Sequence, residues 1–131
     1  MEVTTIAGTP TIRGNKDGTA HQSQFDRPLG ISIDISGNIF LAQSNGRIRR
    51  VSKDGIVSTI VKKGTLRCPY SVRVENSKNL LIADTWNHVI RRVSTDGRDV
   101  SMVAGILGRQ RRYGWTIRSG NIQLSSRYLF R

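Results

Sequence analysis

The chain has 131 residues, of which 37% are apolar, so it is long enough to bury the core of one modest domain. A single cysteine, Cys68, excludes an intrachain disulfide framework and favours a reducing, cytoplasmic setting. Residues 1–6 lack the basic and apolar parts of a signal peptide, and no apolar run approaches the roughly 20 residues that span a bilayer, so we expect no membrane partner.

The net charge of +12 suggests a nucleic-acid partner, but its distribution weakens that interpretation. Residues 106–131 contain six arginines and no acidic residue. The preceding 105 residues hold the remaining 15 basic side chains and all 9 acidic ones, which is a more ordinary balance. Half of the excess charge therefore lies in the last fifth of the chain.

The first predicted element is a strand over residues 3–8. Its sequence, Val-Thr-Thr-Ile-Ala-Gly, resembles Val-Ser-Met-Val-Ala-Gly at residues 100–105. We therefore expect it to be the outer strand of a unit that precedes the first full repeat.

Two repeats follow, and they align at an offset of 41 to 43 residues. The first predicts strands over 30–34, 38–42, 47–51 and 56–61, and the second over 71–75, 79–83, 88–93 and 99–104. Turn signals separate these strands, including Asn45-Gly46 and the two Asp-Gly pairs at 54–55 and 96–97.

The second strand of each repeat is apolar without alternation: Ile-Phe-Leu-Ala at 39–42 and Leu-Leu-Ile-Ala at 80–83. A strand with one exposed face would alternate, so a continuous apolar run indicates that both faces are covered. Four strands in a period of about 41–43 residues are typical of a propeller blade stacked between neighbours.

These motifs together resemble the NHL repeat family, whose pattern runs Phe-x-x-Pro-x-Gly-Ile, Asp-x-x-Gly-Asn, an apolar run, Ala-Asp, Asn-His-x-Ile-Arg-x-Val and an Asp-Gly turn. The first repeat matches the first half of this pattern at Phe25, Pro28, Gly30, Ile31, Asp34, Gly37 and Asn38. The second repeat matches the second half at Ala83, Asp84, Asn87, His88, Ile90, Arg91 and Val93. The resemblance covers residues 2–108, and residues 48–60 are similar in style to teneurin-type NHL propellers.

The resemblance implies a ring of about six blades. We therefore expect an all-β, partial β-propeller over residues 1–108, with four-stranded antiparallel blades at 25–61 and 68–104 and a leading outer strand. Two blades leave apolar faces uncovered, so we expect either a fragment of a longer propeller or self-assembly that completes a ring. Residues 109–131 form a basic tail outside the pattern, for which disorder is one expectation.

Two groups of residues are candidates for partner binding. The first is the loop after the second strand of repeat two, with Asp84, Trp86, Asn87 and His88, where an exposed Trp86 would anchor a protein partner and the other three would hold a turn. The second is the recurring set Arg47, Arg49 and Arg91, which would form a basic face.

No catalytic constellation is visible. NHL-like lyases use a histidine-rich metal centre, as the resemblance implies, but this chain has only two histidines, His21 and His88. We therefore expect no catalytic residues, metal or cofactor. Three functions stay open: a non-catalytic module presenting loops to a protein partner, an RNA-binding basic propeller face, and the remnant of a lyase- or lactonase-like enzyme.

Overall fold

The computed structural model describes residues 1–106 and the backbone of residues 114–118 and 121–125. Strands account for almost all of the regular structure in these ranges, and they form two antiparallel sheets and a separate hairpin. The prediction of an all-β fold is confirmed. No helix among the described residues is long and apolar enough to cross a bilayer.

The first sheet, blade one, has the strand order β1-β5-β4-β3-β2. Its strands are β1 (Gly18–Thr19), β2 (Pro28–Ile33), β3 (Ile39–Gln43), β4 (Ile48–Val51) and β5 (Ile56–Val61). Neighbouring strands in the chain pair as antiparallel hairpins, whereas β1 comes from the preceding connector and pairs with the outer edge of β5. Only Gly46 of the predicted Asn-Gly turn has a positive φ, at 90°.

The second sheet, blade two, repeats this plan with the order β6-β7-β8-β9. Its strands are β6 (Ser71–Val74), β7 (Asn79–Asp84), β8 (Val89–Ser94) and β9 (Val100–Gly105). All eight repeat strands begin and end within two residues of their predicted limits. Hydrophobic pattern and turn residues together therefore define the two blades well.

The two blades also share irregular backbone features. Arg27 and Cys68, which occupy the same repeat position, both have a positive φ, at 45° and 47°. The pairing of β4 with β5 shifts register between Ile48 and Arg49, and that of β8 with β9 shifts between Ile90 and Arg91. Because a bulge inserts an extra residue into one strand and increases the local twist, the two blades bend at the same place.

Each blade has two faces, which follow from strand alternation. The leading face of a blade is the one on the side of the preceding repeat, and the trailing face is the one on the side of the following repeat. The trailing face of blade one packs on the leading face of blade two and forms the buried core between them. Its fully buried apolar members are Phe40, Ala42, Ile48, Val61, Leu66, Val72, Leu80, Ile82 and Val93.

The innermost strands of the two blades, β2 and β6, are in close contact at Gly30. A Cβ atom placed on Gly30 would lie 2.6 Å from the carbonyl oxygen of Tyr70 and 2.7 Å from the Cα of Ser71. Two residues further along, the backbone N–H of Val74 donates a hydrogen bond to Oγ of Ser32 at 3.1 Å. Gly30 is therefore required for space, and the small Ser32 supplies a polar link across an otherwise apolar contact.

The predicted leading strand at residues 3–8 was wrong. Residues 1–6 carry no secondary structure, and the N–H of Gly8 donates to the carbonyl of Ala20 instead. An outer strand needs the third strand of its own blade as a partner, and the described residues contain no such strand. The outer edge of blade one is already paired with β1.

The basic tail lies partly outside the described residues. Where its backbone is described, it forms an antiparallel hairpin of β10 (Gly114–Arg118) and β11 (Asn121–Ser125). The disorder expected for the basic tail stays a prediction. The rest of residues 109–131 falls outside the described part of the chain.

The close approach at Gly30 leads to a stability prediction. We expect Gly30→Ala to lower the free energy of unfolding by about 1–3 kcal/mol, because the added methyl group forces the two inner strands apart. Urea denaturation followed by tryptophan fluorescence measures the change. Ser36→Ala is the control, since Ser36 is exposed in the turn between β2 and β3, away from this contact. Equal denaturation midpoints for the two variants would contradict this account of the contact.

Candidate functional site

Loops from both blades and their connectors meet at one end of the molecule, which we call the loop end. It consists of residues 13–17, 24–27, 43–47, 62–70 and 84–88. Hydrogen bonds join its segments: Nε2 of Gln43 donates to Oδ1 of Asn15 at 3.1 Å, and the N–H of Trp86 donates to the carbonyl of Arg67 at 3.0 Å. A Cβ atom placed on Gly46 would lie 2.6 Å from the carbonyl oxygen of Leu66, so the loops of the two blades adjoin at the loop end, which contains the candidate loop of blade two.

A buried carboxylate organises that loop. Asp84 has no exposed surface, and its Oδ1 accepts the backbone N–H of Arg67 at 2.7 Å. Its Oδ2 accepts Nδ2 of Asn87 and Nε of Arg91, both at 2.8 Å. A buried carboxylate is stable only when it is paired and fully hydrogen-bonded, and Asp84 meets both conditions. Three separate segments of the chain are thereby held around one side chain.

The buried Asp84 determines how Trp86 is presented. Thr85–Asn87 forms one 3-10 turn, which ends at His88 in the left-handed region with φ at 58°. Asn87 points inward to Asp84 and is 9% exposed, whereas Trp86 between them is 60% exposed. His88 is also exposed, and its N–H donates to the carbonyl of Thr85 at 3.1 Å. The indole of Trp86 is therefore exposed on a turn whose backbone is held by the hydrogen bonds of Asp84.

Blade one holds an equivalent buried arginine. Arg49 has no exposed surface, and its Nη1 donates to Oε1 of Gln43 at 3.1 Å. Its Nη2 donates to the carbonyl of Lys16 at 3.0 Å and to Oδ1 of Asp17 at 2.8 Å. The guanidinium carbon lies 4.9 Å from the ring centroid of Phe25, within the range of a cation–π contact. Burial lowers the pKa of Arg49, and the hydrogen bond to Asp17 opposes that effect.

The structure therefore differs from the exposed basic face that the sequence predicts for Arg47, Arg49 and Arg91. Arg49 is entirely internal, and the side chain of Arg91 is only 13% exposed and paired with Asp84. Only Arg47, which is half-buried, makes no ion pair within the described part of the chain. Two of the three arginines therefore make internal contacts that hold the loop end together.

Several residues that shape this surface were not among the candidates predicted from the sequence. Arg67 and Tyr70 are exposed beside the Trp86 loop, and the N–H of Tyr70 donates to the carbonyl of Ala83 at 3.2 Å. Gln43 and Asp84 occupy the same repeat position, each followed by an arginine that it contacts. The repeat places Arg49 and Arg91 on the same face of their blades, but it does not reveal which residues cover that face.

Across residues 1–106, 114–118 and 121–125, no group of three or more histidine, cysteine, aspartate or glutamate side chains could hold a metal ion. His21 is exposed in the connector, and its carbonyl accepts the hydroxyl of Thr9 at 3.3 Å. The two histidines therefore sit in separate loops.

Solved structures resemble this fold. A structural genomics protein of unknown function from Bacteroides thetaiotaomicron matches 66% of this chain with a TM-score of 0.59 and 22% sequence identity. A streptogramin B lyase structure matches 57% with a TM-score of 0.49 and 22% identity. The chain spans about a quarter of the length of each of them. The structural genomics protein has a propeller-type fold, so the partial β-propeller is confirmed at the level of architecture.

Sequence comparisons add no family assignment. No family model matches the chain, and no curated protein matches it. The resemblance to NHL repeats therefore stays a prediction, whereas the propeller-type fold is shown by structural similarity.

The buried carboxylate yields a prediction for the site. We expect Asp84→Asn to lower the free energy of unfolding by about 3 kcal/mol, because the change leaves Arg91 buried without its counter-charge. In a Trp115→Phe background, the anisotropy of Trp86 fluorescence should also fall as the turn loosens. Asp54→Asn is the control, since Asp54 is exposed in a turn of blade one. Unchanged stability and anisotropy in the Asp84 variant would show that the ion pair does not fix the loop.

Proposed function

We propose that the chain is a non-catalytic interaction module whose loop end binds an acidic, partly apolar segment of a protein partner. The observation that supports this most directly is Trp86, which is 60% exposed on a turn fixed by the buried Asp84–Arg91 pair. An exposed tryptophan on a rigid turn buries a large area on binding while losing little conformational freedom, and such residues are typical interface hot spots.

The charge of the loop end supports an acidic partner. Its carboxylates are all engaged internally: Asp17 with Arg49, Asp84 with Arg91, and Asp26 with Arg27 at 3.2 Å. The cationic side chains on this surface outnumber them and include Arg13, Arg27, Arg47, Lys62, Lys63 and Arg67. Positive potential of this kind favours acidic partners and accelerates their association at low salt.

RNA binding through the same surface is the second candidate, because exposed aromatic and basic side chains are also typical of single-strand recognition. The internal pairing of Arg49 and Arg91 argues against it. Two of the three arginines expected to contact phosphates are satisfied within the chain. Trp86 with Tyr70, which is 52% exposed, provides apolar area that suits a protein segment.

A selection experiment tests the proposal. Peptides are selected from a random displayed library on the full chain, and we expect the bound peptides to be acidic and to contain an apolar anchor. Fluorescence anisotropy then measures their dissociation constants. Trp86→Ala should weaken binding about tenfold or more, because truncation of a hot-spot tryptophan removes most of the buried area.

The control is Ile35→Ala, which removes a fully exposed apolar side chain from the turn between β2 and β3, at the opposite end of the blade. This variant should bind the selected peptides as the wild type does. The proposal fails if Trp86→Ala and Ile35→Ala bind equally well. It fails in favour of RNA if a short oligouridine binds more tightly than the peptides at physiological salt, with the steep salt dependence of phosphate contacts.

A further inference from the structure

The turn between β3 and β4 contains Asn45-Gly46, which is the one Asn-Gly pair in the sequence. Asparagine before glycine is among the most labile positions of an unfolded chain. The following backbone nitrogen attacks the side-chain amide carbon, and glycine has no Cβ atom that would hinder it. The turn is therefore a potential site of chemical modification that the proposed function does not involve.

The folded chain engages the attacking nitrogen of this pair. The N–H of Gly46 donates to the carbonyl of Gln43 at 3.0 Å, and Gly46 is buried. A backbone N–H held in a hydrogen bond is harder to deprotonate, and its nitrogen is not free to turn toward a neighbouring side chain. Attack by the nitrogen of Gly46 therefore requires the turn to open first.

The side-chain amide of Asn45 is also held in place. Its Nδ2 donates to Oδ1 of Asn15 at 2.8 Å and to Oδ2 of Asp26 at 3.2 Å, and its Oδ1 accepts Nε2 of Gln43 at 3.2 Å. Asn15 and Asp26 belong to the connector that precedes β2. Closure of the connector over the turn therefore fixes the amide group, and local opening of the connector releases it.

The product of deamidation does not fit these contacts. A carboxylate at position 45 has no N–H to donate, so Oδ2 of Asp26 would face a second negative charge instead of a donor. The isoaspartate form also lengthens the main chain by one carbon beside Gly46, where even a Cβ atom would lie 2.6 Å from the carbonyl oxygen of Leu66. Either product therefore weakens the link between the connector and blade one.

We propose that Asn45 is a latent deamidation site, which Asn15 and Asp26 protect in the folded chain and which reacts when the connector opens. In the reaction the backbone nitrogen of Gly46 attacks Cγ of Asn45 and loses its proton, and the side-chain nitrogen leaves as ammonia. Water then opens the cyclic imide at one of its two carbonyl carbons and gives aspartate or isoaspartate. Because ammonia is lost and a negative charge is gained, the reaction permanently records an opening of the loop end and disfavours its closure.

Peptide mass spectrometry of the full chain tests the protection by the fold. Deamidation changes the mass at position 45, whereas isomerisation of the Asp-Gly pairs leaves the mass unchanged. The native chain and the chain unfolded in guanidinium chloride are kept in the same mildly alkaline buffer. We expect Asn45 to react at least about tenfold faster in the unfolded chain, since the native chain must first break several hydrogen bonds.

A variant of the connector tests which contacts protect the site. Asn15→Ala removes an acceptor shared by Asn45 and Gln43. Under native conditions it should deamidate at Asn45 about five- to tenfold faster than the wild type, which corresponds to the loss of one ordinary hydrogen bond. The matched control is Asn76→Ala, because Asn76 also accepts two hydrogen bonds but lies in the turn between β6 and β7, away from the loop end. This control should react as the wild type does.

A third variant, Asn45→Asp, reproduces one product and tests its consequence. The N–H of Ser44 donates to the carbonyl of Arg27 at 3.2 Å and so reports on the contact between turn and connector. We expect this N–H to exchange with solvent about tenfold faster in the Asn45→Asp variant, because a like charge next to Asp26 favours the open form.

Three results would each overturn the proposal. The first is an equal rate of deamidation at Asn45 in the native and the unfolded chain. The second is a native rate that Asn15→Ala leaves unchanged or that Asn76→Ala raises as much. The third is an exchange rate of the Ser44 N–H that is the same in Asn45→Asp and in the wild type.

Discussion

The stacking of two sheets through a single glycine-bearing strand is the contact on which the rest of this structure depends. Phe40 and Leu80 are buried only because the inner strands approach closely enough to exclude water, and Gly30 permits that approach. Packing of this density leaves no room for one extra methyl group at Gly30. The distance between the blades is therefore determined by steric contact and not only by the burial of apolar area. The distance between the blades also determines the shape of the loop end, since segments of both blades meet there.

A second constraint acts at the ends of the strands. In each blade an arginine on the third strand points into the protein and contacts a polar residue at the end of the second strand. Arg49 contacts Gln43, and Arg91 contacts Asp84. These pairs tie the connectors to the blades: Arg49 also holds Lys16, and Asp84 holds Arg67. These two arginines therefore serve internal structure, and the net charge overstates the charge that a partner would meet.

Much of the architecture was predictable from the sequence, because period-two patterning and turn residues are local signals. Burial of Arg49 was not predictable, since alternation places a side chain on a face but does not reveal that the connector at Asp17 covers that face. The strand expected at residues 3–8 failed for the related reason that a strand needs a partner as well as a propensity. The exposure of Trp86 depends on the contact between Asp84 and Arg67, which are 17 residues apart.

The paired bulges have a consequence for how the blades behave in crowded solution. In each blade the extra residue lies on the outermost repeat strand. In blade one it lies in β5, across from Arg49 of β4, and in blade two it lies in β9, across from Arg91 of β8. An irregular, strongly twisted border is a poor template for the flat hydrogen-bonded ladders of amyloid fibres. The bulge therefore disfavours intermolecular strand pairing along the edge strand β9. The middle residues of that strand, Ser101, Met102 and Val103, carry no charge that would do so.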